Sequence, residues 1–104
     1  MSAINIEVLR KTNAMGHLEI TLGLEGNLDN STVTNLQAEL TAALAAKPAQ
    51  LIFDLAKLNY VTSSGIRLFL WAQKQQKQHQ GEYRFDHLQP AVREAFVMCI
   101  LPLS

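Results

Sequence analysis

The order of two hydrophobic periods along the chain limits its fold more than any other sequence feature. Apolar and polar side chains alternate through residues 1–12 and again through residues 17–24, which is typical of β-strands. From Val33 to Leu44 the apolar residues instead recur at spacings of three and four, the period of an amphipathic α-helix. The chain is therefore predicted to begin with a β-hairpin, followed after a loop at residues 26–30 by a helix.

The rest of the chain continues to alternate between strands and helices. Residues 50–55 contain a short apolar run typical of a buried strand, residues 56–59 are predicted to be a connection, and Tyr60 and Val61 resume extended structure. A helix is predicted from Ile66 to about residue 80, then a strand over residues 82–87 and a last helix opened by Pro90. The order β-β-α-β-α-β-α predicts one α/β domain over residues 1–104, with a mixed sheet covered by helices.

The helix predicted after Ile66 changes character halfway along its length. Its first half is apolar, whereas residues 73–80 are glutamine, lysine and histidine. We expect this second half to be a solvated helix end, and Gly81 to be the residue in the left-handed conformation that stops it.

Charge and cysteine content exclude several classes of function. Nine basic and nine acidic residues give a formal net charge of zero, without the basic excess of nucleic-acid-binding proteins. The single cysteine, Cys99, lies among apolar residues and is predicted to be a small buried hydrophobe, which suits a reducing cytoplasm. The longest apolar run, residues 68–72, is far shorter than the roughly 20 residues of a membrane span.

The sequence contains none of the common motifs of catalytic, nucleotide-binding or metal sites. His17, His79 and His87 have no second ligand at metal-binding spacing, and no histidine is predicted to reach the serines at 63 and 64. We therefore expect a protein that is not an enzyme and that holds no cofactor or metal.

Three consecutive hydroxyl residues, Thr62, Ser63 and Ser64, precede the second helix. One interpretation is capping, in which a hydroxyl accepts a hydrogen bond from a free amide of the first helical turn. A second interpretation is phosphorylation, because the amides and dipole of a helix N-terminus also stabilise a phosphate. A single cap does not require three hydroxyls, so both interpretations stay open.

Five segments, in order and at matching spacing, resemble the STAS domain of bacterial anti-sigma factor antagonists. They are Gly-Asn-Leu-Asp at residues 26–29, Leu-Ile-Phe-Asp-Leu at 51–55, Tyr-Val-Thr-Ser-Ser-Gly-Ile at 60–66, Glu-Tyr-Arg-Phe at 82–85 and Leu-Gln-Pro-Ala-Val-Arg at 88–93. The resemblance covers nearly the whole chain and implies the STAS, or SpoIIAA-like, fold.

The resemblance also implies a function and a phosphorylation site. Antagonists of this family bind an anti-sigma factor that is a serine kinase, and the kinase phosphorylates the first serine of the signature. That serine corresponds to Ser63, with Ser64 and Thr62 as rival acceptors. Thr62 stands where the family usually has an aspartate, so a negative charge is missing beside the acceptor.

The expected partner surface combines the loop at residues 26–29 with the start of the second helix. Its predicted members beside the three hydroxyls are Asn27, Asp29, Gly65, Arg67 and Trp71. Arg67 and Trp71 are four residues apart, hence on one helix face, and both are common interface anchors. Two alternatives remain: docking on the ATPase of an ABC-type lipid transporter, as some STAS proteins do, and nucleotide binding by the loop.

Overall fold

The structure, a computed structural model, describes residues 3–98 and contains four strands and three helices in this part of the chain. The order β-β-α-β-α-β-α predicted from the sequence is confirmed. The elements are β1 (Ile4–Thr12), β2 (Leu18–Leu28), α1 (Val33–Ala45), β3 (Gln50–Val61), α2 (Ser63–Gln78), β4 (Glu82–Asp86) and α3 (Pro90–Met98).

The four strands form one mixed sheet in the order β1-β2-β3-β4. β1 and β2 are the predicted antiparallel hairpin, whereas β2, β3 and β4 are parallel neighbours joined by the crossover helices α1 and α2. The predicted α/β architecture is therefore confirmed. Because parallel strands end at the same edge of a sheet, the carboxyl ends of β2 and β3 and the starts of α1 and α2 meet there.

The helices cover one face of the sheet and enclose an aromatic core. The ring centroid of Phe69 in α2 lies 5.0 Å from that of Phe53 in β3 and 5.3 Å from that of Phe85 in β4. Phe96 of α3 lies 5.0 Å from Phe85 in an edge-to-face arrangement. Each aromatic pair of this kind stabilises a fold by about 0.5–1.5 kcal/mol beyond the contribution of the apolar area that it buries. This core fixes α2 to the strands that carry the site.

Two segments predicted to be loops are strand. β2 continues through Gly26 and Asn27 to Leu28, and β3 runs without interruption through residues 56–59. The pairing of β2 with β3 shifts register between Gly23 and Glu25 and again between Gly26 and Asn27. Such bulges interrupt the alternation of apolar and polar side chains, so the pattern in the sequence stops while the strand continues.

The prediction of a solvated second half for α2 is wrong for two of its glutamines and is confirmed for four other residues, which are exposed: Lys74, Lys77, Gln78 and Gln80. Gln73 and Gln76 are buried, at 5% and 0% exposure. The side-chain amide of Gln76 donates hydrogen bonds to the carbonyl oxygens of Pro48 and Glu82, each at 2.8 Å. Burial of the amino group is tolerated because two backbone acceptors satisfy its donors, one at the turn before β3 and one at the first residue of β4. The amide oxygen Oε1 is also buried and has no hydrogen-bond partner among residues 3–98.

The stop of α2 is one residue earlier than predicted. Gln80, not Gly81, has the left-handed backbone, with φ of 66°. The amide of Gly81 donates to the carbonyl oxygen of Gln76 at 2.8 Å, and the amide of Gln80 donates to that of Lys77 at 3.0 Å. This is a Schellman motif, in which the glycine follows the left-handed residue.

The helix starts differ from the sequence prediction for α2 and agree with it for α3. α1 is preceded by Thr32, whose side chain makes no capping bond, and α2 begins at Ser63 rather than Ile66. Pro90 opens α3 as predicted. The prediction for Cys99 lies outside the described residues, and none of the helices within residues 3–98 is long and apolar enough to cross a membrane.

Candidate functional site

The predicted signature segment lies at the sheet edge where β2 and β3 end together. Leu28, the last residue of β2, pairs with Val61, the last residue of β3. The amide of Thr62 then donates to the carbonyl oxygen of Leu28 at 3.0 Å, which continues the parallel ladder by one bond. The fold therefore brings together the two segments that the sequence predicts to form one surface, residues 26–29 and the start of α2.

A single residue, Thr62, connects β3 to α2. Its backbone is extended, with φ of −95° and ψ of 174°, and its carbonyl oxygen accepts the amide of Ile66 at 3.0 Å. The Thr62 hydroxyl does not cap the helix, because its oxygen lies 3.5 Å from the carbonyl oxygen of Leu28 instead. Capping by this side chain, one of the two interpretations of the hydroxyl run, is therefore wrong.

The two serines of the signature have different environments. The hydroxyl of Ser64 donates to Oδ1 of Asn30 at 2.5 Å and so links the first turn of α2 to the segment before α1. Ser63 is exposed, and its hydroxyl has no hydrogen-bond partner among residues 3–98. Of the three consecutive hydroxyls, Ser63 alone is left both accessible and uncommitted to the fold.

Gly65 is buried because the first turn of α2 packs directly on the strand ends. A β-carbon at this position would lie 2.7 Å from Cγ2 of Val61 and 2.8 Å from two side-chain carbons of Leu28. Contacts this short require the neighbours to move. The glycine thus brings α2 close to the sheet, a structural role that does not need a partner.

The loop before α1 is held by its own side chains. The carboxylate oxygen Oδ1 of Asp29 accepts hydrogen bonds from the amide and the hydroxyl of Ser31, at 2.9 and 2.7 Å. The hydroxyl of Thr32 donates to the carbonyl oxygen of Asn27 at 2.8 Å and accepts the amide of Asp29 at 2.9 Å. Asn27 and Asp29 are thus built into the strand end and its turn, beside the signature.

Arg67 and Trp71 lie on the same side of α2 and line one shallow groove between α1 and α2. Arg67 is exposed and Trp71 is half-buried. The groove is lined by these two residues together with Val33, Gln37, Ser64 and Leu68. An aromatic ring and a guanidinium around aliphatic side chains make a surface suited to a protein partner.

Sequence reasoning missed two residues that organise this region. Asn30 accepts a hydrogen bond from the Ser64 hydroxyl across the two helix starts, and no motif in the sequence indicated this contact. Thr32 is 2% exposed and joins Asn27 to Asp29. A signal for Thr32 was the run of Asn, Ser and Thr before α1, since such side chains commonly bond nearby backbone.

An acid–base pair lies elsewhere, between β3 and the end of β4. Oδ1 of Asp54 is 3.0 Å from Nδ1 of His87. Burial raises the pKa of Asp54, but the hydrogen bonds to His87 and to the amide of Ala56 outweigh it and hold that pKa below its ordinary value of 3.8. Within residues 3–98 no three His, Cys, Asp or Glu side chains are placed to hold a metal ion.

The sequence matches a family model described as "Mlab, STAS domain" over residues 14–101. It is also 37% identical, over 73 residues, to a protein of Bordetella bronchiseptica named "Putative anti-sigma factor antagonist BtrV". The match covers 70% of this chain and 63% of that relative, which is less than two thirds of its length.

Three solved structures share the fold at low sequence identity. Unphosphorylated SpoIIAA, an anti-sigma factor antagonist, has a TM-score of 0.77 at 22% identity, covering 95% of this chain and 82% of the other. An anti-sigma factor antagonist from Mycobacterium paratuberculosis has 0.75 at 19% identity, with coverages of 93% and 80%. Phosphorylated SpoIIAA of Bacillus has 0.70 at 21% identity, with coverages of 95% and 85%. With the family match over most of its length, the chain belongs to the STAS domain family.

Proposed function

We propose that this protein is an anti-sigma factor antagonist, a regulatory binding module rather than an enzyme. Its partner is an anti-sigma factor that is also a serine kinase, and its switch is phosphorylation of Ser63. The name of the Bordetella relative and the likeness to SpoIIAA support the antagonist role. The kinase and the switch rest on the site itself.

The observation that carries the proposal is the isolation of the Ser63 hydroxyl. A kinase must reach the acceptor oxygen and align it with a phosphoryl donor, so a hydroxyl bonded within the fold is a poor acceptor. Ser64 is bonded to Asn30, and the Thr62 hydroxyl faces the carbonyl oxygen of Leu28. Ser63 is exposed at the first residue of α2 and fulfils the requirement.

A phosphate on Ser63 would change the surface without opposing the fold. The first turn of α2 has no capping side chain on Thr62 and no acidic residue, so its amides and dipole favour a nearby anion. Phosphorylation would take the net charge from zero to about −2. A partner adapted to a neutral hydroxyl surface beside Arg67 would then meet a dianion, and its affinity would fall.

The neutral side chain of Thr62 determines what a kinase must recognise beside the acceptor serine. Family members with aspartate there place a negative charge beside the phosphate, whereas Thr62 removes that like-charge repulsion. A kinase that recognises the aspartate would lose one contact. We therefore expect the cognate kinase of this protein to read the neutral surface of Thr62 and Ser63.

The test is phosphorylation of the full chain by its cognate anti-sigma factor with ATP and Mg²⁺, mapped by mass spectrometry. The expected product carries one phosphate, on Ser63. Ser63→Ala abolishes incorporation, and the matched control Ser64→Ala retains it. Phosphate on Ser64 or Thr62 instead, or none on any of the three, contradicts the switch.

Binding is measured separately by titration of the unphosphorylated protein with the same anti-sigma factor. Ser63→Asp places a charge at the acceptor and is expected to weaken binding about tenfold or more, whereas Ser63→Ala keeps most of the affinity. Full affinity of Ser63→Asp would contradict the effect expected of the phosphate.

A second candidate function is constitutive docking on the ATPase of an ABC-type transporter. It is favoured by the neutral signature, since residues 60–66 contain no formal charge, and by the family description that names Mlab. The groove beside Trp71 would then be a permanent interface. An affinity pull-down that recovers such an ATPase and no kinase would favour this candidate over the first.

A further inference from the structure

Within residues 3–98, the edge strand β1 has an outer side with no pairing partner in the sheet. β1 is nine residues long, pairs only with β2, and keeps one continuous register with it from Ile4 to Thr12. It contains no proline and no bulge, two features that commonly prevent an edge from pairing, and its protection consists of the charged side chains Glu7, Arg10 and Lys11. The opposite edge, β4, has only five residues. β1 is thus the longer and less protected edge.

β1 also leaves apolar surface incompletely covered on both of its faces. Leu9, on the face away from the helices, is 56% exposed. Ile4, Ile6 and Val8 point toward the helices but are only partly buried, because no strand lies beyond them. A further strand at this edge would cover side chains on both faces.

The charges on β1 select one way for two copies of the strand to pair antiparallel. When Leu9 faces Leu9 of the second copy, Glu7 of each copy lies opposite Lys11 of the other, and both charge pairs are favourable. Centring the pair on Glu7 or on Arg10 instead places like charges opposite each other. Centring it on Val8 leaves Glu7 opposite Leu9, without a charge partner.

We propose that β1 is a self-association edge, at which a second copy of this chain pairs antiparallel about Leu9 and joins the two sheets into one. The zero net charge adds no long-range repulsion between copies. The interface lies away from the signature, because Leu9 pairs with Thr21, seven residues or about 23 Å along β2 from Leu28. Each dimer then presents two exposed copies of the Ser63 surface.

The first test measures the self-association of the full chain by sedimentation equilibrium across a concentration series. The wild type is expected to be a concentration-dependent dimer. Glu7→Lys and Lys11→Glu each place like charges opposite each other twice, and each should raise the dissociation constant about tenfold. The double variant exchanges the two charges and should restore dimerisation, which excludes a mere loss of folding.

The second test cross-links the edge in a Cys99→Ser background, so that no other thiol is present. Leu9→Cys places two thiols on directly opposed residues, about 4.5–5.5 Å apart between α-carbons, which permits a disulfide under mild oxidation. Glu7→Cys is the matched control, since its two thiols would lie about 13 Å apart along the strands.

A monomer at every concentration overturns the proposal. So does a dimer that ignores the single charge reversals, or one that cross-links equally at positions 7 and 9. These outcomes do not depend on phosphorylation of Ser63, so the dimer and the proposed switch stand or fall separately.

Discussion

Ser63 at the start of α2 and Gln76 near its end are both uncharged polar residues on the same helix, in different environments. Ser63 is exposed and its hydroxyl has no partner among residues 3–98, whereas Gln76 is 0% exposed and its amide donates two hydrogen bonds. The start of α2 lies at the ends of β2 and β3. Its end packs against the turn at Pro48 and the first residue of β4.

The difference shows where this fold can accommodate chemical change. A group added at Ser63 meets solvent, and the core residues behind it are unaffected. A change at Gln76 removes the donors that join α2 to the turn at Pro48 and to the first residue of β4. Substitution at the exposed first end is therefore expected to leave the fold intact, whereas the second end and the aromatic core hold the helix in place.

The largest expected effect is that of Gln76→Ala. Removing the amide leaves the carbonyl oxygen of Glu82 without this donor, whereas that of Pro48 still has a ring nitrogen of His79 at 3.0 Å. A buried unsatisfied group costs about 1–3 kcal/mol, so we expect the free energy of unfolding to fall by about that amount, measured by chemical denaturation. Gln78→Ala, on the exposed side of the same helix, is the control and should change stability by less than about 0.5 kcal/mol. Equal effects of the two would mean that Gln76 does not anchor the helix.

The second prediction compares alanine substitutions of two glycines, Gly65 in the first turn of α2 and Gly81 just after its end. Gly65→Ala directs a methyl group at Val61 and Leu28, and we expect a loss of about 1–2 kcal/mol after the gain in helix propensity. Gly81→Ala directs its methyl group at the side-chain amide of Gln76 and at the His79 ring, and displacing that amide would weaken its hydrogen bonds to Pro48 and Glu82. Thermal unfolding should therefore show a loss for both variants, through repacking at Gly65 and through weakened hydrogen bonds at Gly81. A Gly81→Ala variant as stable as the wild type would mean that the Gln76 amide can move without cost.

The third effect compares the two serines. Ser64→Ala removes the hydrogen bond to Asn30 and should cost about 0.5–1.5 kcal/mol. Ser63→Ala removes a hydroxyl with no partner in the described fold and should change stability by less than about 0.5 kcal/mol. Urea denaturation of the two variants distinguishes them. A cost for Ser63→Ala as large as that for Ser64→Ala would argue that Ser63 is part of the fold.

The smallest effect is that of Thr62→Asp, which restores the acid usual in the family. A carboxylate at the N-cap of α2 interacts favourably with the helix dipole, by about 0.3–1 kcal/mol at low ionic strength. The gain should shrink as salt is added, because the site is close to solvent. Denaturation at low and high salt measures it. A destabilised variant would mean that the Thr62 hydroxyl contributes more to the fold than its long contact with Leu28 indicates.

The order of the elements was predictable, because period-two and helical-period segments are distinct in this sequence. The lengths of β2 and β3 were not. Leu55, Leu58 and Val61 of β3 are buried at spacings of three, with exposed pairs of residues between them. That spacing results from irregular pairing. In the sequence alone, two adjacent polar or small residues such as Ala56 and Lys57 indicate a connection rather than a strand.

Partners distant in the sequence explain the remaining differences. Gln76 is buried because Pro48, 28 residues earlier, supplies an acceptor, and no local pattern contains that information. The same holds for Ser64, whose partner Asn30 is 34 residues away. By contrast, the grouping of residues 26–29 with the start of α2 was predictable, because parallel strands bring their ends to one edge.

Because Thr62 alone connects β3 to α2, the length of this connection determines where Ser63 points. Adding one residue between Val61 and Ser63 would turn the serine by about 100° around the helix axis. Removing one would pull α2 into the strand ends. In a comparison of related sequences, we therefore expect side chains around the serine to vary while insertions and deletions between Val61 and Gly65 are excluded.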